Sequence, residues 1–211
     1  MTTRTAERRV SERPLTQAER RARSRDALLE AAARGLSRGG YGNLVLEDVA
    51  REAGYTRGAL YHQFASKEDL ALAALRWADE TWQRVVGEPA AREPDPVAAL
   101  LAMARGHAIL CRRDIARVAM ALRVEFSGRD HPIARELERV QGGLVKRLAR
   151  LINAGRRERV LSPGPPATAV ALALVGALEG TVIMLAGRKP HDAALAERAV
   201  AGILGIELPA Q

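Results

Sequence analysis

At LEDVAREAGYTRGALYHQF, residues 46–64, two short helical periods are separated by one glycine. No other feature constrains the fold as tightly. Leu46, Val49, Ala50 and Ala53 stand at i, i+3, i+4 and i+7, one face of a helix. Gly54 follows and can take the positive φ that a tight turn requires. Ala50 is small enough for two helices to cross over it. Leu60 and Phe64, one turn apart, give the second helix an inward face. The pattern predicts a helix-turn-helix. Its second helix turns Thr56, Arg57, Gly58, Tyr61 and His62 outward, where most surface helices carry Glu, Lys and Ala.

Those outward groups suit a major groove, which is wide enough for one helix. Arg57 can contact guanine in a bidentate manner, Gly58 lets the backbone come close, and Tyr61 and His62 reach phosphates or thymine methyls. Thr56 caps the helix with its hydroxyl. Ser66-Lys67-Glu68-Asp69 opens a further helix at once, and free N–H groups around Thr56 and Lys67 attract phosphate.

The rest of the chain reads as helix. Aromatic residues are only 3% of the 211, so Ala, Leu and Val must fill the core, and few windows alternate as a half-buried strand would. Helices are expected over about 20–39, 46–53, 56–64, 66–86, 96–112, 114–126, 132–158, 166–187 and 191–205. Gly39-Gly40, GEPAAREPDP, SGRDHP and SPGPP are the breaks. The expected fold is all-α, with about nine helices. Residues 1–19 form a disordered basic arm, 20–67 a three-helix helix-turn-helix domain, and 68–211 a larger helical domain, to which the resemblance described below assigns effector binding and dimerisation.

Charge agrees with a polyanion partner. Residues 1–67 hold 13 basic and 8 acidic side chains (+5), and the remaining 144 hold 20 and 17 (+3), within a total of +8. Eight of the arginines lie in residues 1–25, where an arm could follow a DNA backbone. Cys111 is the only cysteine, so no internal disulfide is possible. No apolar leader opens the chain, and a cytoplasmic protein is expected. The apolar run 166–187 is long enough to suggest a membrane span. Glu179 near its centre makes a buried helix between subunits the better reading.

The order LEDVAREAGYTRGALYHQFASKEDL, preceded by RDALLEAAARGLSRGGYG, resembles the DNA-binding segment of the TetR/AcrR family of bacterial transcriptional regulators over about residues 22–82. The resemblance implies a homodimer that binds a near-palindromic double-stranded operator, usually as a repressor, and is released by a small molecule in the C-terminal domain. The family's DNA-contacting positions fall on Thr56, Arg57, Gly58, Tyr61, His62 and Lys67. Two departures stand out. Val45 and Leu46 occupy ground where the family has a capping Thr, which leaves Asn43 as the candidate cap. Leu36 replaces a preferred Phe.

In the C-terminal part, Ala171, Ala173, Gly176, Ala177 and Gly180 would let helices approach closely across a dimer interface. Candidate effector-pocket residues are Trp82, Met103, His107, Cys111, Met120, Phe126 and Met184. So few charges in the apolar helices point to a hydrophobic or aromatic effector. His107 and Cys111, four apart, share a face, but two ligands make no metal site, and no cofactor is expected. There is no nucleophile with a base, no paired-carboxylate site and no phosphate loop in GYGNL or SPGPP, so an enzyme is not expected. The alternative is a helical protein-interaction module without specific DNA binding. Salt dependence separates the two readings, because phosphate contacts weaken steeply with salt.

Overall fold

A computed structural model describes residues 16–185 and 187–208. Among these residues there is no strand. Nine helices carry the fold: α1 (Gln17–Gly39), α2 (Leu46–Glu52), α3 (Arg57–Tyr61), α4 (Lys67–Trp82), α5 (Pro96–Leu110), α6 (Val118–Phe126), α7 (Pro132–Arg157), α8 (Ala167–Leu185) and α9 (His191–Leu204).

Local chemistry sets most boundaries. α1 starts at Gln17, three residues before the expected Arg20. Thr16 accepts from the Glu19 N–H, and the Glu19 carboxylate accepts from the Thr16 N–H at 2.6 Å, a reciprocal capping box. Residues 16–19 are therefore part of a helix, and the rest of the expected arm, residues 1–15, lies outside the described residues. α4 also outruns the expected break at residue 87. A single wide turn over Gln83–Gly87, in which the Glu88 N–H donates to the Gln83 carbonyl, carries it into a short helical end at Glu88–Ala90. Such wide turns insert one residue into a helix and often sit at functional sites.

Two apolar cores stack along the molecule. The first joins α1 to α4 and continues into Ile115, Val118, Leu122, Phe126, Ile133 and Leu137. The boundary near residue 67 is therefore not a seam in the packing: α4, α6 and the start of α7 seat α1, α2 and α3. The second core lies among the end of α4, α5, α7, α8 and α9, around Leu100, Met103, Leu148, Ile152, Leu174 and Val200. Leu36, at the position where Phe was preferred, is fully buried in the first core.

Polar clamps tie the layers together. Glu136 of α7 accepts from Arg76 of α4 and Arg139 of its own helix. Burial raises the Glu136 pKa, and the two guanidinium groups more than offset that, so it falls below the usual carboxylate range. Arg112, just after α5, makes two hydrogen bonds of 2.8 and 2.7 Å to Asp192 at the start of α9. Asp192 is buried, and chiefly the Arg112 hydrogen bonds hold its pKa below the usual range. It also accepts from the Ala193 N–H. α8 is long and apolar enough to cross a membrane by length and composition. In this fold one of its faces packs on α7 and α9, through Ala171, Leu174, Leu178 and Val182.

Removing one partner of a mostly buried, bidentate ion pair strands the other charge. Asp192→Ala should therefore cost about 2–3 kcal/mol of unfolding free energy in urea. An unchanged midpoint would show that Arg112 finds water without penalty.

Candidate nucleic-acid interface

α2 and α3 form the expected pair. Ala50 is buried at their crossing, and Gly54 sits at φ +78°. The turn closes with a Tyr55 N–H to Ala50 carbonyl bond of 2.8 Å and a Gly54 N–H to Arg51 carbonyl bond of 3.0 Å. That pair of bonds is the glycine-terminated helix ending that needs a left-handed residue. Leu60 and Phe64 are buried beneath α3. Thr56 caps α3, its hydroxyl accepting from the Ala59 N–H at 3.2 Å.

The outer side of α3 is preorganised. Thr56, Arg57, Gly58, Tyr61 and His62 are all exposed. Arg57 lies over the Tyr61 ring, 5.3 Å from its centroid, and pairs with Glu47 of α2 at 3.0 Å. The neighbouring Tyr61 and Glu47 raise its already high pKa. The guanidinium is thus aimed along the helix surface rather than left to sample solvent. Ser24 of α1 accepts from the Gln63 amide at 2.8 Å, and Arg25 covers the Phe64 ring at 4.6 Å. The first turns of α1, with exposed Arg21 and Arg23, therefore flank the end of α3. Spacing within residues 46–64 carried no signal for these partners.

Two expectations need revision. Lys67 is not a free cation: its ammonium donates to the Gly42 carbonyl at 3.0 Å and lies 4.9 Å from the Tyr41 ring centroid. It braces the α1–α2 turn and keeps two N–H donors spare. Asn43 does not cap α2. Its side-chain amide donates to the Gly39 carbonyl and closes α1, and no side chain caps α2 at Val45.

The α1–α2 turn has a second anchor. Glu125 of α6 accepts from the Tyr41 N–H at 2.6 Å and the Gly42 N–H at 2.7 Å. Gly40 makes room for it, because a Cβ there would stand 2.7 Å from Glu125 Oε2. Tyr41, Phe126 and His131 stack beside it, and His131 reaches Glu68 at 3.2 Å. The last turn of α6 thus connects the α1–α2 turn to the interior of the larger part.

That interior has two adjoining lobes, of about 30 and about 90 Å³. Both touch Trp82, Leu144, Val175 and Glu179. Met103 and His107 line the smaller lobe, and Arg123 lines the larger. Of the candidate pocket residues, Trp82, Met103 and His107 are therefore at the cavity. Cys111 is buried behind His107 without lining it. Phe126 belongs to the first core and Met120 lines neither lobe. Met184, 72% exposed, lies on the outer face of α8. Helical spacing could not tell the two sides of an all-apolar helix apart.

The Trp82 indole N–H donates to His107 Nδ1 at 3.0 Å. That bond requires the neutral tautomer with its proton on Nε2, which lies 3.7 Å from Cys111 Sγ. Burial lowers the His107 pKa to about 4 and raises that of Cys111 to about 12. Cys111 is therefore a protonated, weakly nucleophilic thiol at neutral pH. No group of three or more metal-ligating side chains occurs among the described residues. Three charged side chains line the wall among the described residues: Arg123 pairs with Glu179 at 2.6 Å, and Asp79 lies 3.5 Å from the Arg139 guanidinium.

On the outer face of α8, Ala173, Gly176 and Gly180 are exposed, with Ala177 half-buried. Leu172, Ile183 and Met184 flank them, and Leu195 and Ile203 of α9 are exposed too. This is one contiguous chemistry on two neighbouring helices.

Residues 28–74 match the family described as bacterial regulatory proteins, tetR family. No curated protein matches the sequence. Among solved structures, a TetR-family regulator from Agrobacterium tumefaciens is similar at TM-score 0.75 and 20% identity, covering 88% of this chain and 97% of its own. Another, from Streptomyces coelicolor, gives 0.72 and 22%, with coverages of 87% and 95%. AibR, solved in complex with isovaleryl coenzyme A and operator DNA, gives 0.68 and 19%, with coverages of 87% and 100%. At these identities the likeness is one of fold.

His107 makes a pH prediction. Folded, it resists protonation down to about 4, whereas an unfolded chain takes a proton near 6.5. Its contribution to stability is complete above pH 6.5 and is lost as pH falls from there toward 4, by about 3 kcal/mol. His107→Leu should flatten that part of the stability profile measured by urea unfolding. An unaltered profile would place the loss on the carboxylates instead.

Proposed function

We propose that the chain is a TetR-type homodimeric repressor of transcription, a reading supported by the family match over residues 28–74 and by the likeness of fold. The dimer binds a near-palindromic operator and leaves it when a hydrophobic effector enters the interior cavity. One observation carries the DNA reading. α3 buries Leu60 and Phe64 while presenting Arg57, held between Glu47 and the Tyr61 ring, on a free surface. A purely structural helix gains nothing from exposing that set. Thr56, Gly58, Tyr61 and His62 complete the groove-facing surface, and Lys67 serves through the turn it braces.

The exposed apolar face of α8 and α9 supports pairing of two copies, since apolar patches of this kind mark interfaces. A two-fold pair places two α3 helices about one DNA turn apart, roughly 34–36 Å. The effector reading rests on the apolar lining and on the absence of an unpaired charge among its described residues. A cytoplasmic protein without catalytic function fits this reading.

The route from effector to operator runs through α6. Arg123 lines the cavity, and two residues later Glu125 holds the Tyr41 and Gly42 amides. An effector that displaces α6 moves the seat of the reading helix. The coupling is a two-state one: the ligand favours the arrangement in which the α3 helices no longer match the operator.

Tyr61→Ala should abolish specific operator binding in a gel-shift assay and leave the dimer and its thermal transition intact. Undiminished affinity would remove α3 from the interface. Glu125→Ala loses two charge-assisted bonds to the turn and should weaken operator binding by about tenfold. In fluorescence anisotropy the effector should then release the DNA less sharply. Wild-type release in that variant would move the coupling elsewhere.

A further inference from the structure

Outside the interior cavity, the end of α4 and the second half of α7 enclose a groove of about 580 Å³. Its lining divides by chemistry. Ala90, Met103, Leu151 and Ala154 give it an apolar floor, and Arg147, Arg150 and Arg157 stand along one stripe of α7. Ten residues separate the first arginine from the last, about 15 Å of helix.

The other α7 arginines nearer its start are matched: Arg135 pairs with Asp130, and Arg139 with Glu136 and Asp79. The three in the groove have no carboxylate partner among the described residues. Arg150 reaches only the Lys146 carbonyl, at 3.4 Å. Arg147 carries a buried Nε with no hydrogen-bond partner, and its Nη1 would stand 3.0 Å from a Cβ on Gly87. Gly87 closes the wide turn after α4, so that turn and its missing side chain make the space that Arg147 occupies. A buried donor left unpaired is costly, because it has given up water without gaining a partner. Three like charges on one stripe add repulsion. An anion relieves both, and a guanidinium fork matches the oxygens of a phosphate.

We propose that this groove binds an amphipathic organic phosphate, with its phosphate on Arg147, Arg150 and Arg157 and its apolar body on the floor. The volume is that of an organic ligand site and far exceeds a bare phosphate. Operator DNA is not the occupant. Ile133 and Leu137 mark the part of α7 that packs with the DNA-binding helices, and Arg147 lies about 15 Å further along. Met103 lines both this groove and the interior cavity. Its flexible thioether lets a ligand in one space be felt in the other.

The test is calorimetric titration of the full-length protein with octyl phosphate, below its aggregation concentration, and with octanol. Octyl phosphate should bind saturably, and more weakly as salt rises. Arg150→Glu/Arg157→Glu, at two exposed positions, should weaken it by about tenfold or more. Octanol should bind at least tenfold more weakly than octyl phosphate. Equal binding by the double variant, or octanol binding as tightly as octyl phosphate, would overturn the assignment. So would displacement of octyl phosphate by a short duplex of random sequence, which would make the stripe a polyanion surface. Should the double variant lose its thermal transition, Arg157→Gln carries the comparison. Operator binding is measured on the same samples: a protein that holds operator but not octyl phosphate loses this site alone.

Discussion

The grip of Glu125 on the Tyr41 and Gly42 amides decides how the two ends of this molecule act as one. α2 and α3 are 7 and 5 residues long, far below the length at which a helix is stable alone. Their position is set by what they lean on. Beneath them is the first core, and at the α1–α2 turn are a carboxylate from α6 and an ammonium from α4. A charged acceptor for two backbone donors is stronger than neutral pairing and more directional than apolar contact. Gly40, with φ +72°, belongs to the same device, since a Cβ there would strike the carboxylate. The position of α3 is therefore referenced to α6.

This arrangement explains why the first core ignores the domain boundary that the sequence suggests. A boundary drawn near residue 67 follows the change in pattern from short to long helices. The packing instead runs from α1 through α4 into Val118, Leu122 and Phe126. A hinge there would decouple the cavity from α2 and α3. A shared core makes α6 a rigid intermediary, able to carry small displacements because packed interiors shift between discrete arrangements.

What was legible in the sequence was local. Ala50, Gly54, Leu60, Phe64 and the Thr56 and Ser66 caps follow from spacing and from residue chemistry within a turn or two. The same holds for the outward set on α3. What was not legible depends on partners far away in the chain. Glu125 lies 84 residues from Tyr41, and no periodicity announces it. Lys67 also donates to the Gly42 carbonyl, a backbone acceptor that no spacing announces. Asn43 looked like a cap for the helix after it and closes the helix before it. Met184 and Phe126 failed as pocket residues for another reason. α8 is apolar on every side, so composition cannot orient it, and Phe126 is held in the first core beside Tyr41 and His131.

The all-round apolar character of α8 follows from two demands on one helix. Its inner side must fill the second core with Leu174, Val175 and Leu178, and its outer side shows Leu172, Ile183 and Met184 among small residues. A helix facing water on one side would carry charge there. Glu179 is the one carboxylate on it, and it faces the cavity, paired with Arg123 of α6. The Arg123–Glu179 contact ties α8 to α6 at the cavity wall, two residues from the carboxylate that seats the α1–α2 turn. That gives the polar residue in the apolar run a physical reason to be there. Its charge is costly in a core unless a partner neutralises it, and the partner chosen is two residues from the carboxylate that holds the reading head.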